Sequence, residues 1–155
     1  MDRLYLRYQD DSLRALTSQW LPRLENQPDG FCYYQVMYYH VQSFTYNNLD
    51  TAILLSKALK PSANPNKEVL RLGLEQTFAN RLRDYPRRIQ ALKSGLAASL
   101  EIPDSNYSQR WAYVFRRQLT QTYTRLAYYD SALMYGYTLL ETNNPKHSID
   151  GSNTV

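Results

Sequence analysis

Few residues in this sequence are suited to chemistry. It holds two histidines, His40 and His147, and one cysteine, Cys32. Nucleophilic catalysis by a serine or cysteine needs a base beside the nucleophile and a third group to orient that base. Neither histidine has a Cys or Ser partner at helical spacing, and His147 falls in a polar tail. A metal site needs clustered His, Cys, Asp or Glu, which this spacing does not supply. Five scattered glycines make no phosphate loop. Asp10-Asp11 reads as a cap that starts a helix, and Glu68 and Glu75 as residues near a helix start, where the dipole favours them. Cys32 has no partner for an internal disulfide, and in the apolar run Phe31-Cys32-Tyr33-Tyr34 it is expected to be buried and inert. No catalytic residue, metal or cofactor is expected.

Recognition is then the chemistry to look for. The net charge is +4, from 18 basic and 14 acidic residues. The densest basic run, Arg81-Leu82-Arg83-Asp84-Tyr85-Pro86-Arg87-Arg88, is shorter than the stripe of a nucleic-acid binder, so no nucleic-acid partner is expected. Tyrosine stands out, with 15 residues against 4 Phe and 2 Trp. Its apolar ring and polar tip suit half-buried positions and binding grooves.

The elements that must position these residues read as helices. Hydrophobic residues make up 43% of the chain, enough for a core, while 5 Gly and 7 Pro are too few for a turn-rich all-β protein. Apolar residues recur at steps of three and four in seven segments. These are 4–25 (Leu13, Leu16, Trp20, Leu24), 31–46, 51–60, 67–83 (Leu70, Leu74, Phe78, Leu82), 86–100 (Ile89, Leu92, Leu96, Leu100), 109–127 (Ala112, Phe115, Leu119, Tyr123, Leu126) and 130–141 (Leu133, Tyr137, Leu140). The second segment is apolar nearly all round, as in a helix sandwiched between neighbours. "NQPDG", "NNLD", "KPSANPN" and "IPDSNYS" separate the segments. No apolar run is long enough to span a membrane. No signal peptide opens the chain, and its abrupt ends suit a segment of a longer protein. Residues 146–155 are expected to form a disordered tail.

One phrase recurs. "LDTAI" (Leu49–Ile53), "YPRRI" (Tyr85–Ile89) and "YDSAL" (Tyr129–Leu133) align Asp50, Pro86 and Asp130 at spacings of 36 and 44, and Asp11 adds a looser match upstream. Each phrase sits at a tight turn between helices. A capping aspartate and a small residue after the turn would let antiparallel helices approach closely. The pattern resembles the tetratricopeptide repeat, a helix–turn–helix unit of about 34 residues. Leu119, Tyr123 and Ala132 keep the Leu, Tyr and Ala positions of the unit, and Ala52 keeps the Ala position in the first full unit. Arg88 stands at that position in the middle unit, a departure that puts its register in doubt.

The resemblance implies an all-α fold: one domain over 1–145, a right-handed superhelix of antiparallel helix pairs. Its units would be a partial one at 1–28 and full ones at 31–66, 67–104 and 107–145. It also implies a concave groove lined by the first helix of each pair. Carried over by position, the groove holds Tyr34, Met37, Val41 and Phe44, then Gly73, Thr77 and Asn80, then Arg117, Gln121 and Thr124. The function implied is a non-catalytic module that binds a peptide or partner domain. Its style is similar to the sensor or regulatory part of a bacterial signalling protein, cytoplasmic or periplasmic, with an output domain as a possible intramolecular partner. The alternative is a small-ligand sensor using the aromatic surface near Tyr34 and Phe44.

Overall fold

The structure, a computed structural model, describes the backbone of residues 2–142 and the side chains of residues 11–140. The described residues form seven helices and no strand: α1 (Asp2–Leu24), α2 (Phe31–Thr45), α3 (Leu49–Ser56), α4 (Pro65–Arg81), α5 (Tyr85–Leu100), α6 (Ser105–Arg125) and α7 (Tyr129–Thr142). None of them is long and apolar enough to cross a membrane. The tail 146–155, expected to be disordered, lies outside the described residues.

Side-chain caps set where four helices begin. Asn48 accepts from the Thr51 amide, Asn64 from Asn66, Asp84 from Arg87 and Asp104 from Tyr107. Each such cap is worth about 1 kcal/mol. These caps correct the sequence reading in three places. Asp50 and Asp130 lie inside the first turns of α3 and α7, and it is Asn48 that caps α3. Pro65 is the first residue of α4, where its missing N–H costs nothing. Residues 105–108, expected as loop, already belong to α6 because Asp104 caps there. A fourth correction concerns α1, which is unbroken through Asp11. That carboxylate starts no helix; it lies 3.4 Å from the Arg14 guanidinium one turn on.

The repeated turn is real at two places and shares one geometry. Arg83 and Ala127 both adopt a left-handed backbone with φ 59°. The next amide reaches back to the closing turn of the helix, Asp84 N–H to the Ala79 carbonyl and Tyr128 N–H to the Tyr123 carbonyl, each at 2.9 Å. This is the 6→1 bond of a Schellman-type helix end. Counting four residues on from Asn48, Asp84 and Tyr128 gives Ala52, Arg88 and Ala132, and all three are buried. The arginine therefore occupies the small-residue position itself, and the turn before it is closed.

Two apolar clusters make the core. One joins α2, α3 and α4 through Tyr34, Met37, Val41, Ala52, Leu70, Leu74 and Phe78. The other joins α4, α5, α6 and α7 through Val69, Leu92, Phe115, Leu119, Tyr123 and Ala132. Leu119, Tyr123 and Ala132 thus meet at one helix-pair contact, as their spacing predicts. Fully burying a side chain of this size contributes about 1.5–3 kcal/mol. Helix α4 is common to both clusters and packs against α2, α3 and α5. The two end helices depart from expectation. Leu16 and Trp20 of α1, and Leu133, Tyr137 and Leu140 of α7, are exposed. Among the described helices α1 packs mainly on α2 and α7 on α6, so each has only one side to bury. Leu82 and Leu100 are exposed as well, since each falls at a helix end beyond the packed region. Cys32 is exposed rather than buried, in the first turn of α2.

His40 is packed, as expected, between α2 and α1. Its Nδ1 lies 2.8 Å from Thr17 Oγ1, and that hydroxyl donates to the Leu13 carbonyl at 2.8 Å. With its proton committed, Thr17 accepts from Nδ1–H. Burial, and then the nearby Arg14 charge, hold the imidazole below its usual value of 6.5. Below about pH 6.5 the unfolded chain therefore binds more protons at this residue than the folded one, and stability falls as pH drops through that window. In urea melts between pH 7.5 and 5 the wild type should lose stability more steeply than His40→Gln. Parallel profiles would show that His40 does not contribute.

Candidate functional site, the face where α2 and α6 meet across α4

The first helices of the three pairs, α2, α4 and α6, come together at Gly73. A Cβ there would lie 3.2 and 3.3 Å from the Trp111 ring and 3.5 Å from Tyr38. The missing side chain lets Trp111 of α6 and Tyr38 of α2 close over α4, their rings edge to face at 5.9 Å. Phe31 and Tyr107 make a second contact of the same kind at 6.2 Å, and Tyr107 meets Trp111 at 6.3 Å. Such pairs contribute about 0.5–1.5 kcal/mol beyond their area. Burial drives the Tyr38 hydroxyl well above its usual range, so it stays protonated; Gln42 donates to its oxygen at 2.7 Å.

The face changes character along α4. Gly73, Thr77 and Asn80 follow one another at helical spacing. Thr77 is half-buried and donates to the Gly73 carbonyl at 2.8 Å. Asn80 ends the stripe beside a group of polar and basic side chains. Its Oδ1 accepts from Arg88 Nη1 at 2.6 Å and from Arg125 Nη1 at 3.4 Å. Arg88 Nη2 donates to Gln118 Oε1 at 2.5 Å. Arg88 thus reaches from α5 between α4 and α6, and only 3% of it is exposed.

Apart from Gly73, which is buried beneath Trp111 and Tyr38, the sequence-assigned groove residues divide into three groups. Thr77, Asn80, Arg117, Gln121 and Thr124 are accessible in whole or part. Tyr34, Met37 and Val41 are corrected: they are core residues, buried against α3 and α4. The Tyr34 hydroxyl donates to the Lys60 carbonyl at 2.9 Å. Phe44 is half-buried, with the Arg14 guanidinium 4.2 Å from its ring centre and His40 at 5.3 Å. Of the two rings named for a small-ligand sensor, Tyr34 is buried in the core and Phe44 is half-buried under Arg14.

The error has a simple geometric origin. On α2 the rings that reach α6 are Phe31 and Tyr38, which pack on Tyr107 and Trp111, and Tyr38 lies one residue past the assigned Met37. On α6 Trp111 closes on Gly73, Gln118 accepts from Arg88 and Arg125 reaches Asn80; Gln118 and Arg125 each lie one residue past an assigned one, Arg117 and Thr124. One residue is about 100° of helix rotation, enough to exchange a packed face for a lining one. Arg88 was missed because a second-helix residue was not expected to reach this surface. Its signal was the mismatch at the small-residue position.

A separate cleft lies between α3, α4 and α5, lined in part by Ser56, Leu59, Arg71, Glu75 and Arg87. Its charges satisfy one another: Arg71 pairs with Glu68 and with Glu75, and Arg87 approaches Glu75 at 3.4 Å. No group of three metal-ligating side chains occurs among the described residues. Comparison of the chain with protein-family models, curated proteins and solved structures gave no match.

Proposed function

We propose that this chain is a non-catalytic binding module. In this reading it is built as a right-handed, TPR-like superhelix of antiparallel pairs, and it takes an extended peptide or a partner domain along the face shared by α2, α4 and α6. The observation that carries the reading is the gradient on that face. Aromatic side chains (Tyr38, Trp111, Tyr107) crowd the Gly73 end, and polar and basic groups (Asn80, Gln118, Arg125) gather at the other. An extended ligand with an apolar anchor at one end and an acidic group at the other matches it. Two closed turns of one geometry, and three buried residues at one register, support the repeat architecture. A regulatory or sensor role in a larger bacterial signalling protein is the setting in which such a module would act.

The test is a peptide-pool binding screen on the wild type and on the double variant Asn80→Ala, Arg125→Ala. Peptides selected by the wild type should bind the variant about tenfold or more weakly, the loss of at least one charge-assisted hydrogen bond. If every selected peptide binds both proteins equally, the groove assignment is wrong.

A further inference from the structure

Helix α7 turns toward solvent the face that α5 buries. The closed turns before the two helices share one geometry and lie 44 residues apart, from Asp84 to Tyr128. Counted on that register, Leu133 and Leu140 stand where Ile89 and Leu96 stand on α5. Ile89 and Leu96 pack on the second apolar cluster, which holds Phe115, Leu119 and Tyr123 of α6. Leu133 and Leu140, with Tyr129, Met134 and Tyr137 beside them, are each 56–69% exposed. Tyr129, Leu133, Tyr137 and Leu140 follow one another at steps of three and four, so they form one stripe. A helix packed on a single side normally turns polar residues outward. Helix α7 packs mainly on α6, and no charged residue occurs between Ser131 and Leu140.

We infer that this face is a homodimer interface, in which α7 packs antiparallel on α7 of a second copy. Orientation is the first reason. Helix α6 runs antiparallel to α5, to which residues 101–104 join it. A twofold axis perpendicular to α7 lays its own copy across it in the same sense, so the partner helix takes the place that α6 holds on α5. With the axis between them, Leu133 of one chain meets the partner's Tyr137. Charge is the second reason. Asp130, the one charged side chain described on α7, lies at the start of the helix, so the stripe meets its own image without repulsion. Size is the third. Five large side chains, each more than half exposed, make a patch on the order of 500 Å², at the upper end of what a monomer shows. Tyr113 of α6, at the register position of the core residue Val69, is 39% exposed and extends it. The total approaches the roughly 800 Å² that each partner of a standard stable interface buries. Other occupants match less well. Exposed α1 offers Leu16 and Trp20 alone, with the Arg23 guanidinium 5.3 Å from the Trp20 ring centre. Residues 143–155 hold two large aliphatic side chains, Ile149 and Val155, too few to cover the stripe. The interface uses no residue of the face shared by α2, α4 and α6, so it stands independently of the function proposed above.

The experiment is sedimentation velocity of the full chain from about 1 to 200 μM, in reducing buffer because Cys32 is exposed. The mass should rise from one chain to two and stop there. Leu133→Glu and Tyr137→Arg each put a charge in the middle of the stripe and should weaken association by about 100-fold or more. Both positions are exposed, so both variants should keep the wild-type circular dichroism; if one does not fold, the other carries the test. Mixing the two variants sets the glutamate of one chain against the arginine of the other and should restore a mixed dimer. Leu16→Glu on α1 should leave association unchanged. A wild type that stays one chain at the highest concentration overturns the interface, as does a dimer that Leu133→Glu and Tyr137→Arg leave intact. Mass that climbs past two chains, or that falls with Leu16→Glu, overturns the twofold pairing in favour of a head-to-tail contact. A mixture that stays monomeric overturns the antiparallel alignment of the two helices.

Discussion

Gly95→Ala is expected to destabilise this protein by about 1–3 kcal/mol, although alanine is the better helix former by about 1 kcal/mol. The reason is one close approach. A Cβ on Gly95 of α5 would sit 2.4, 2.5 and 2.9 Å from Cζ, Cε1 and Cε2 of Phe115 on α6. That ring cannot move away: it is fully buried and stacks on Trp111 at 5.5 Å. The colliding atoms are all absent from leucine, so the background chosen for the control is Phe115→Leu. There the sign should reverse, with Gly95→Ala neutral or stabilising by up to about 1 kcal/mol. Urea midpoints for the four proteins of this cycle give the coupling directly. If Gly95→Ala has the same effect in both backgrounds, the collision does not set the helix spacing.

Trp111→Ala should have the larger effect, a loss of about 3–5 kcal/mol. Its ring packs against both apolar clusters and closes on Gly73, Tyr38 and Phe115. Removing it strips the lid where α2 and α6 meet and leaves α4 as the main link between the halves. Unfolding should then lose its single-step character. The chain has two tryptophans, so in this variant fluorescence comes from Trp20 on α1 alone. The fluorescence and far-ultraviolet circular dichroism transitions should coincide in the wild type and separate in the variant. A loss below about 1 kcal/mol with coincident transitions would mean that the aromatic closure adds little.

The helices themselves were legible because their signals are local. Apolar spacing marked all seven, and turn residues marked the breaks. Boundaries moved where a cap acted unnoticed, as at Asn64 before Pro65 and Asp104 before Ser105. The packed faces of α4 and α6 were legible too, because both helices have neighbours on more than one side. On α1 and α7 the same kind of apolar stripe misled. Periodicity shows that a face is apolar, not that another element covers it.

The candidate site was legible only in part. Asn80 was found from its repeat position. Arg88, Gln118, Arg125, Tyr38 and Trp111 were not, because each depends on how far a helix is rotated about its axis. A shift of one residue leaves the apolar period unchanged and turns the lining face by about 100°.

The sequence by itself determined the class of element, their number, and the phrase that places Ala52, Arg88 and Ala132 in one register. Short-range sterics, capping and the 3.6-residue period are enough for that. Only the tertiary structure decided that Gly73 admits Trp111 and Tyr38, and that Arg88 lies buried without an acid beside Arg125. Those facts arise from contacts between residues 8 to 45 positions apart. Their outcome turns on helix rotation and on side-chain reach, which no local pattern carries.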